Sequence, residues 1–216
     1  MTKDITVENL RGKRMEKAIA VAAELFLKQG IESVKMTDIA DETGVGVATL
    51  YRYFKTKTGV AVAAMTYLWN KLGEMFSGIF EADVFRRQNG LKQLSDLMRM
   101  ILVLYTAHGD FMKLLGEFDL FLLQERIPPE ELTEYENSVI NFFPFFAASY
   151  QAGIADGSVR EITDFQLFYV SYVHALMELT KKLLRGDLLA SDDFAHGERE
   201  LETMIDAAIY YLQRRD

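Results

Sequence analysis

Proline is almost absent from this chain, and that scarcity sets its fold class. Only three of 216 residues are Pro, two of them adjacent at Pro128 and Pro129, so little interrupts stretches in which apolar residues recur every three or four positions. Half-buried strands would alternate instead. The expected class is all-α, with about nine helices. The spacing predicts a first helix over 10–29, with Ala18, Ala22, Leu25 and Phe26 forming one stripe and Gly30 as its stop. Two very short helices follow at 36–43 and 47–54, the first closed by Gly44; neither could be stable alone, so both must pack on the first. Longer helices are predicted at 57–80, 91–107, 110–124, 130–155, 164–184 and 198–214. Pro128 and Pro129 suit a first helical turn. Pro144, set among Phe142, Phe143, Phe145 and Phe146, falls inside the 130–155 pattern and should kink that helix.

Composition removes several functions. Cys is absent, which excludes disulfides, zinc–thiolate sites and thiol nucleophiles, and only three His remain to ligate a metal. No Gly-rich phosphate loop, nucleophile elbow or carboxylate pair at catalytic spacing is visible, so neither an enzyme nor a cofactor is expected. Residues 1–15 lack an apolar segment, and nowhere do about 18 apolar residues run together. A cytoplasmic chain without membrane spans is the expectation.

The formal net charge of −8 hides a split. Residues 1–60 carry ten Lys/Arg against eight Asp/Glu, leaving 14 against 24 for the remainder, a balance of −10. A mildly basic module followed by an acidic, aromatic-rich one fits this asymmetry. The basic part holds two short helices joined through Gly44 and Gly46, the second exposing small side chains before an aromatic cluster. A helix-turn-helix requires that arrangement, because its second helix must approach base edges in the major groove. Gly46, Val47, Ala48 and Thr49 are small enough: Thr49 can donate to or accept from a base, and Val47 and Ala48 can touch a thymine methyl. Tyr51, Tyr53, Lys55 and Lys57 can reach phosphates.

The ordered set Ala22-Ala23-Glu24-Leu25-Phe26, Gly30, Asp38-Ile39-Ala40, Gly44-Val45 and Thr49-Leu50-Tyr51-Arg52-Tyr53-Phe54-Lys55-Thr56-Lys57 resembles the TetR family of bacterial transcriptional regulators, closely over about residues 11–65. The resemblance implies base approach by Thr37, Val47, Ala48 and Thr49 and phosphate contacts by Tyr51, Tyr53 and Lys57. Arg52 lies in the same set. Leu50, Phe54, Ile39 and Ala40 are assigned to the core. Three positions depart from the family pattern: Lys35 replaces the usual capping Ser or Thr and could hold a phosphate instead, Gly46 replaces a capping Ser, and Thr58 replaces an acidic residue. Without a side-chain cap at Lys35, either Ser33 or Thr37 must serve or the cap is lost.

By this resemblance residues 1–56 form a three-helix helix-turn-helix domain and residues 57–216 a larger helical ligand-binding and dimerisation domain. The resemblance further implies a homodimer through the last two helices, bound to a pseudo-palindromic DNA operator and released by a small, mainly apolar or aromatic effector. The segment 57–80 would transmit the change. The 164–184 helix is apolar nearly all round, as a helix covered on two sides should be. Met98, Tyr105, Phe118, Phe121, Phe142, Phe143, Phe146, Tyr150, Tyr169, Tyr172, His174 and Met177 are the candidate cavity lining. Taken singly each reads better as packing, because aromatic stripes on helices more often fill a core, whereas the cluster around Pro144 fits core and pocket alike. His174 and Glu178 share a helical face, but two groups do not make a metal site; His174 is expected in the core or pocket, with His108 and His196 exposed. Asp192 and Asp193 should cap the final helix. A ligand-sequestering protein of the same fold is the alternative that Lys35, Gly46 and the net acidity keep open; a hydrolase or isomerase using His174 and Glu178 ranks below it.

Overall fold

The computed structural model describes residues 2–186 and 193–215. They form helices α1 (Thr2–Gln29), α2 (Met36–Thr43), α3 (Val47–Phe54), α4 (Lys57–Glu81), α5 (Asp83–Arg86), α6 (Gly90–Ala107) and α7 (Gly109–Glu125), then a 3-10 turn at Pro129–Leu132, α8 (Thr133–Ser138), α9 (Phe143–Asp156), α10 (Phe165–Arg185) and α11 (Gly197–Leu212). The all-α class holds, and α2 and α3 match their expected limits. Their ends are written locally: Gly30 and Gly44 take φ of 78° and 69°, left-handed values that stop α1 and α2 at little steric cost.

Helix 130–155 is the main correction. In its place stand the 3-10 turn, α8 and α9, and Pro144 lies in the first turn of α9 instead of kinking a longer helix. A first turn has no use for the N–H that Pro lacks, so starting a helix there costs less than breaking one. Asn141 Oδ1 accepts from Phe143 N–H at 3.2 Å at this start. With α5, the division accounts for eleven helices against about nine expected.

The chain forms two compact units, residues 1–73 with 114–140 and residues 74–113 with 141–216. Helices α4 and α7 contribute to both. This grouping follows a different line from a boundary at residue 56, because 114–140 fold with the N-terminal helices. In the first unit α1 packs on α2 and α2 on α3 around Ala22, Phe26, Ile39 and Leu50, all at most 1% exposed. Phe118 of α7 is fully buried and meets Tyr135 edge-on at 5.0 Å.

In the second unit α6 packs on α9 and α11, and α10 packs on all three. Gly90 and Gly153 make the α6–α9 crossing possible: a Cβ on Gly90 would overlap the Gly153 backbone and the Ser149 carbonyl. The first turn of α6 is satisfied from outside its own helix. Asp156 Oδ2 accepts from Gly90 N–H at 2.8 Å, Ser158 Oγ from Leu91 N–H at 3.1 Å, and the N-cap Asn89 from Lys92 N–H at 2.9 Å. The Ser158 hydroxyl, then the Gly90 N–H, hold the Asp156 carboxyl below its ordinary value. A depressed carboxylate stabilises the fold above its unfolded pKa, and that contribution fades as pH falls through the lower folded value. Asp156→Asn leaves one acceptor oxygen where the carboxylate accepts through both Oδ1 and Oδ2, and should therefore lose about 1 kcal/mol of stability at neutral pH, as for one lost hydrogen bond, with the gap from the parent closing on acidification below about pH 4. Urea titrations at several pH values test this; a gap independent of pH would refute it.

Asp193 is exposed and its carboxylate accepts from Ala195 N–H at 2.9 Å, while His196 is the N-cap residue of α11 and makes no side-chain cap bond. Asp192 lies outside the described residues. Among the described residues no helix is long and apolar enough to cross a membrane.

Candidate nucleic-acid interface and apolar cavity

Helix α3 has eight residues and one fully buried side chain, Leu50. Ala48, Tyr51 and Arg52, at positions i, i+3 and i+4, form an exposed stripe along it, and Lys55 is exposed just beyond its end. Tyr51 and Tyr53 are 48% and 46% exposed, large for rings that a core would otherwise claim. Val47 and Thr49 are half-buried, so Ala48 is the most open of the three small side chains expected at bases. Gly46 is the N-cap without a side-chain acceptor, and its carbonyl takes the Thr49 and Leu50 N–H groups. Phe54, assigned to the core from sequence, is only half-buried and meets Tyr53 edge-on at 5.2 Å. Its position at the end of an eight-residue helix leaves one face uncovered.

Lys55 follows with φ 64° and ψ −48°, and Thr56 N–H reaches back to the Phe54 carbonyl at 2.7 Å, a γ-turn that costs a non-glycine residue roughly 1–3 kcal/mol. It turns the chain sharply between α3 and α4. Thr56 then caps α4, accepting from Gly59 N–H at 3.0 Å. Gly59 had no sequence signal beyond being a helical glycine, yet a Cβ there would overlap the Phe54 carbonyl oxygen. Close approach of α3 to the start of α4 depends on that missing side chain.

Around α2 the side-chain N-cap is lost, the last of the three expected outcomes. Asp38, three residues into the helix, accepts from Lys35 N–H at 2.8 Å, while Lys35, whose ammonium can only donate, does not cap. Ser33 plays no capping part, and Thr37 Oγ1 only donates weakly to Asp38 Oδ1 at 3.5 Å. Lys35 and Thr37 are both exposed. Lys57 is less free than expected: its ammonium donates to the Glu32 carbonyl at 2.9 Å, tying α4 to the turn after α1. Burial pulls its pKa below the ordinary lysine value, against the opposing charges of Glu32, Asp38 and Glu125. Two of its three N–H groups remain for a phosphate.

The second unit contains an apolar cavity of about 70 Å³ between α6, the start of α9 and α10. Met98, Phe142, Phe146, Tyr169, Tyr172 and Met177 line it as expected from sequence. Burial raises the Tyr169 phenol above its ordinary value, so the hydroxyl stays neutral as a donor. Phe143 lies behind Tyr169, ring centroids 5.2 Å apart. Four candidates sit elsewhere. Tyr150 is buried with its hydroxyl accepting from Ile162 N–H at 2.8 Å and its ring stacked 4.0 Å from Phe165. Tyr105 abuts Gly197, where a Cβ would lie 2.6 Å from its hydroxyl. Phe118 and Phe121 belong to the first unit, Phe121 in a groove beside Gly30.

His174 and Glu178 are exposed, so the imidazole is neither core nor lining; Tyr172 and Val173 on the adjacent face take that place. His196 is exposed and His108 half-buried at the end of α6. Sequence reasoning missed the aliphatic wall: Leu97, Met100, Ile101 and Leu104 of α6 face the cavity. Their i, i+3, i+4, i+7 spacing was visible, but it reads as core until a facing helix leaves a gap.

Residues 18–64 match the family model for bacterial regulatory proteins of the tetR family. Over 105 residues the chain is 35% identical to an HTH-type transcriptional regulator of Staphylococcus aureus strain MRSA252, covering 45% of this chain and 52% of the relative. The matched part thus spans about half the length of that relative. A TetR transcription regulator from Haloarcula marismortui superposes with a TM-score of 0.69 at 17% identity, over 94% of this chain and 100% of that one. A transcriptional regulator from Saccharomonospora viridis in complex with choline superposes with a TM-score of 0.64 at 17% identity, over 96% and 100%. At such identities the likeness is one of fold.

Proposed function

We propose that this chain, whose residues 18–64 match the family model for bacterial regulatory proteins of the tetR family, is a ligand-responsive transcriptional regulator, a repressor that binds a pseudo-palindromic operator as a homodimer. Residues 1–56 are the DNA-binding domain in this reading, and 57–216 bind the effector and the second copy. The exposed stripe of Ala48, Tyr51 and Arg52, on a helix whose one fully buried side chain is Leu50, carries the reading. Apolar side chains left open on the last two helices support the dimer: Leu167 is 62% exposed and Tyr210 61%. A two-fold axis would set two copies of α3 one DNA turn apart, about 34–36 Å.

The effector is small and mainly apolar or aromatic, matching the cavity lining. At about 70 Å³ the cavity must widen to take such a molecule, since ligand pockets span roughly 300–1,000 Å³. Binding therefore selects a state in which α6, α9 and α10 stand further apart, and its leverage on DNA affinity equals its differential affinity for the two states, typically about 1–3 kcal/mol.

Selection of genomic fragments by the purified protein at about 150 mM salt tests the DNA reading, because sequence-specific binding survives the screening that suppresses phosphate contacts alone. A recurrent pseudo-palindrome is expected. On that site Arg52→Ala should weaken binding to all sequences alike and lower the salt slope by about one, whereas Thr49→Ala should relax preference at one or two base pairs. Recovery of no shared sequence would overturn the regulator reading in favour of ligand sequestration.

A further inference from the structure

No element that walls the apolar cavity turns a charge toward it. Helix α9 has no Asp, Glu, Lys, Arg or His from Phe143 to Ala155. On α6 the single charge between Leu97 and Leu104 is Arg99, which turns to α11 and is held there by Asp206 at 2.6 Å and Glu202 at 3.8 Å. On α10 the cavity takes Tyr169, Tyr172, Val173, Leu176 and Met177, spaced i, i+3, i+4, i+7 and i+8 along one face. Leu167, His174 and Glu178 are exposed on the opposite side of that helix, the side left to a second copy of the chain. The cavity therefore persists whether or not a dimer covers that surface.

A helix start also borders the cavity, and a helix start ordinarily offers free N–H groups to an anion. This one offers none. In α9, Phe143 N–H donates to Asn141 Oδ1 at 3.2 Å, Pro144 has no N–H, and Phe145 and Phe146 donate to the Phe142 carbonyl at 3.1 and 3.2 Å. A carboxylate or phosphate entering here would lose its hydration with no cation or backbone donor to replace it. A cation fares no better. Phe142, Phe146, Tyr169 and Tyr172 supply aromatic faces from the α9 and α10 side, but the α6 wall is Leu97, Met98, Met100, Ile101 and Leu104, so no aromatic cage closes.

One polar group remains to orient a ligand. The Tyr169 ring is fixed between Phe143 and Phe146, with centroids 5.2 and 5.0 Å away, and its hydroxyl makes no hydrogen bond among the described residues. Tyr172 also borders the open groove at the end of α11, so Tyr169 is the phenol that belongs to this cavity alone. On the reading that this cavity is the effector site, we propose that it selects a molecule of no formal charge, a small apolar body with one hydroxyl or carbonyl oxygen that meets the Tyr169 hydroxyl, and that it rejects organic anions and cations alike.

Calorimetric titration of the full chain at neutral pH with one-ring probes tests this: para-cresol and toluene, which are uncharged, against para-toluate and phenyltrimethylammonium. Cresol should bind saturably at one site per chain, and the two ions about a hundredfold more weakly or not at all. Tyr169→Phe, which conserves volume, should weaken cresol about three- to tenfold and leave toluene unchanged. An ion bound as tightly as cresol would overturn the selection against charge while leaving the cavity as the effector site. Equal weakening of cresol and toluene by Tyr169→Phe would make Tyr169 a packing residue and overturn its role. Saturable binding of no probe, by protein that still selects a common DNA sequence, would remove the cavity as effector site and the proposal with it.

Discussion

Gly90→Ala is expected to lower stability by about 3 kcal/mol, the upper part of the range for overpacked cores. The added methyl would meet backbone atoms of Gly153 and Ser149, which cannot rotate aside as the end of a side chain could. Helices α6 and α9 would have to separate, and separation would also loosen the Asp156 and Ser158 hydrogen bonds that satisfy the first turn of α6. Gly78→Ala is the control, since nothing lies within 4 Å of a Cβ at that position in α4. It should stabilise by about 0.5–1 kcal/mol through helix propensity. Urea midpoints of the two variants should move in opposite directions; a loss below about 1 kcal/mol for Gly90→Ala would mean that the crossing yields.

Leu50→Ala should cost about 3 kcal/mol and abolish operator binding together with it. Leu50 is the single fully buried side chain of α3, and eight residues cannot hold a helix without tertiary contact. Leu50→Met, which nearly conserves volume, should lose less than about 1.5 kcal/mol and keep DNA binding. If Leu50→Ala bound DNA as the parent does, α3 would not be the element that docks. Circular dichroism melts and binding to the selected fragments are to be read on the same preparations.

Both predictions concern contacts of different legibility. Leu50 could be assigned to the core from sequence because its place in the helix-turn-helix pattern is specific. Likewise Gly30 and Gly44 announced the ends of α1 and α2, and Asp164 was placed at the start of α10, where its carboxylate accepts from Leu167 N–H at 2.8 Å. Gly90 looked like any helix-starting glycine. Nothing local says that Gly153, 63 positions further on, lies against it. Pro144 shows the same limit: its phenylalanine neighbours extended a helical pattern that the chain ends and restarts.

The all-α class and the limits of α2 and α3 were determined by the sequence alone, because helical hydrogen bonds and the turn residues that end them lie within three or four residues. Only the tertiary structure decided which aromatic rings share a cavity, that 114–140 fold with the N-terminal helices, and that Arg99 of α6 turns to Asp206 of α11. Such pairings join residues dozens of positions apart through excluded volume and hydrogen bonds that exist only after the helices have packed, and a pattern of period 3.6 carries no record of its partner.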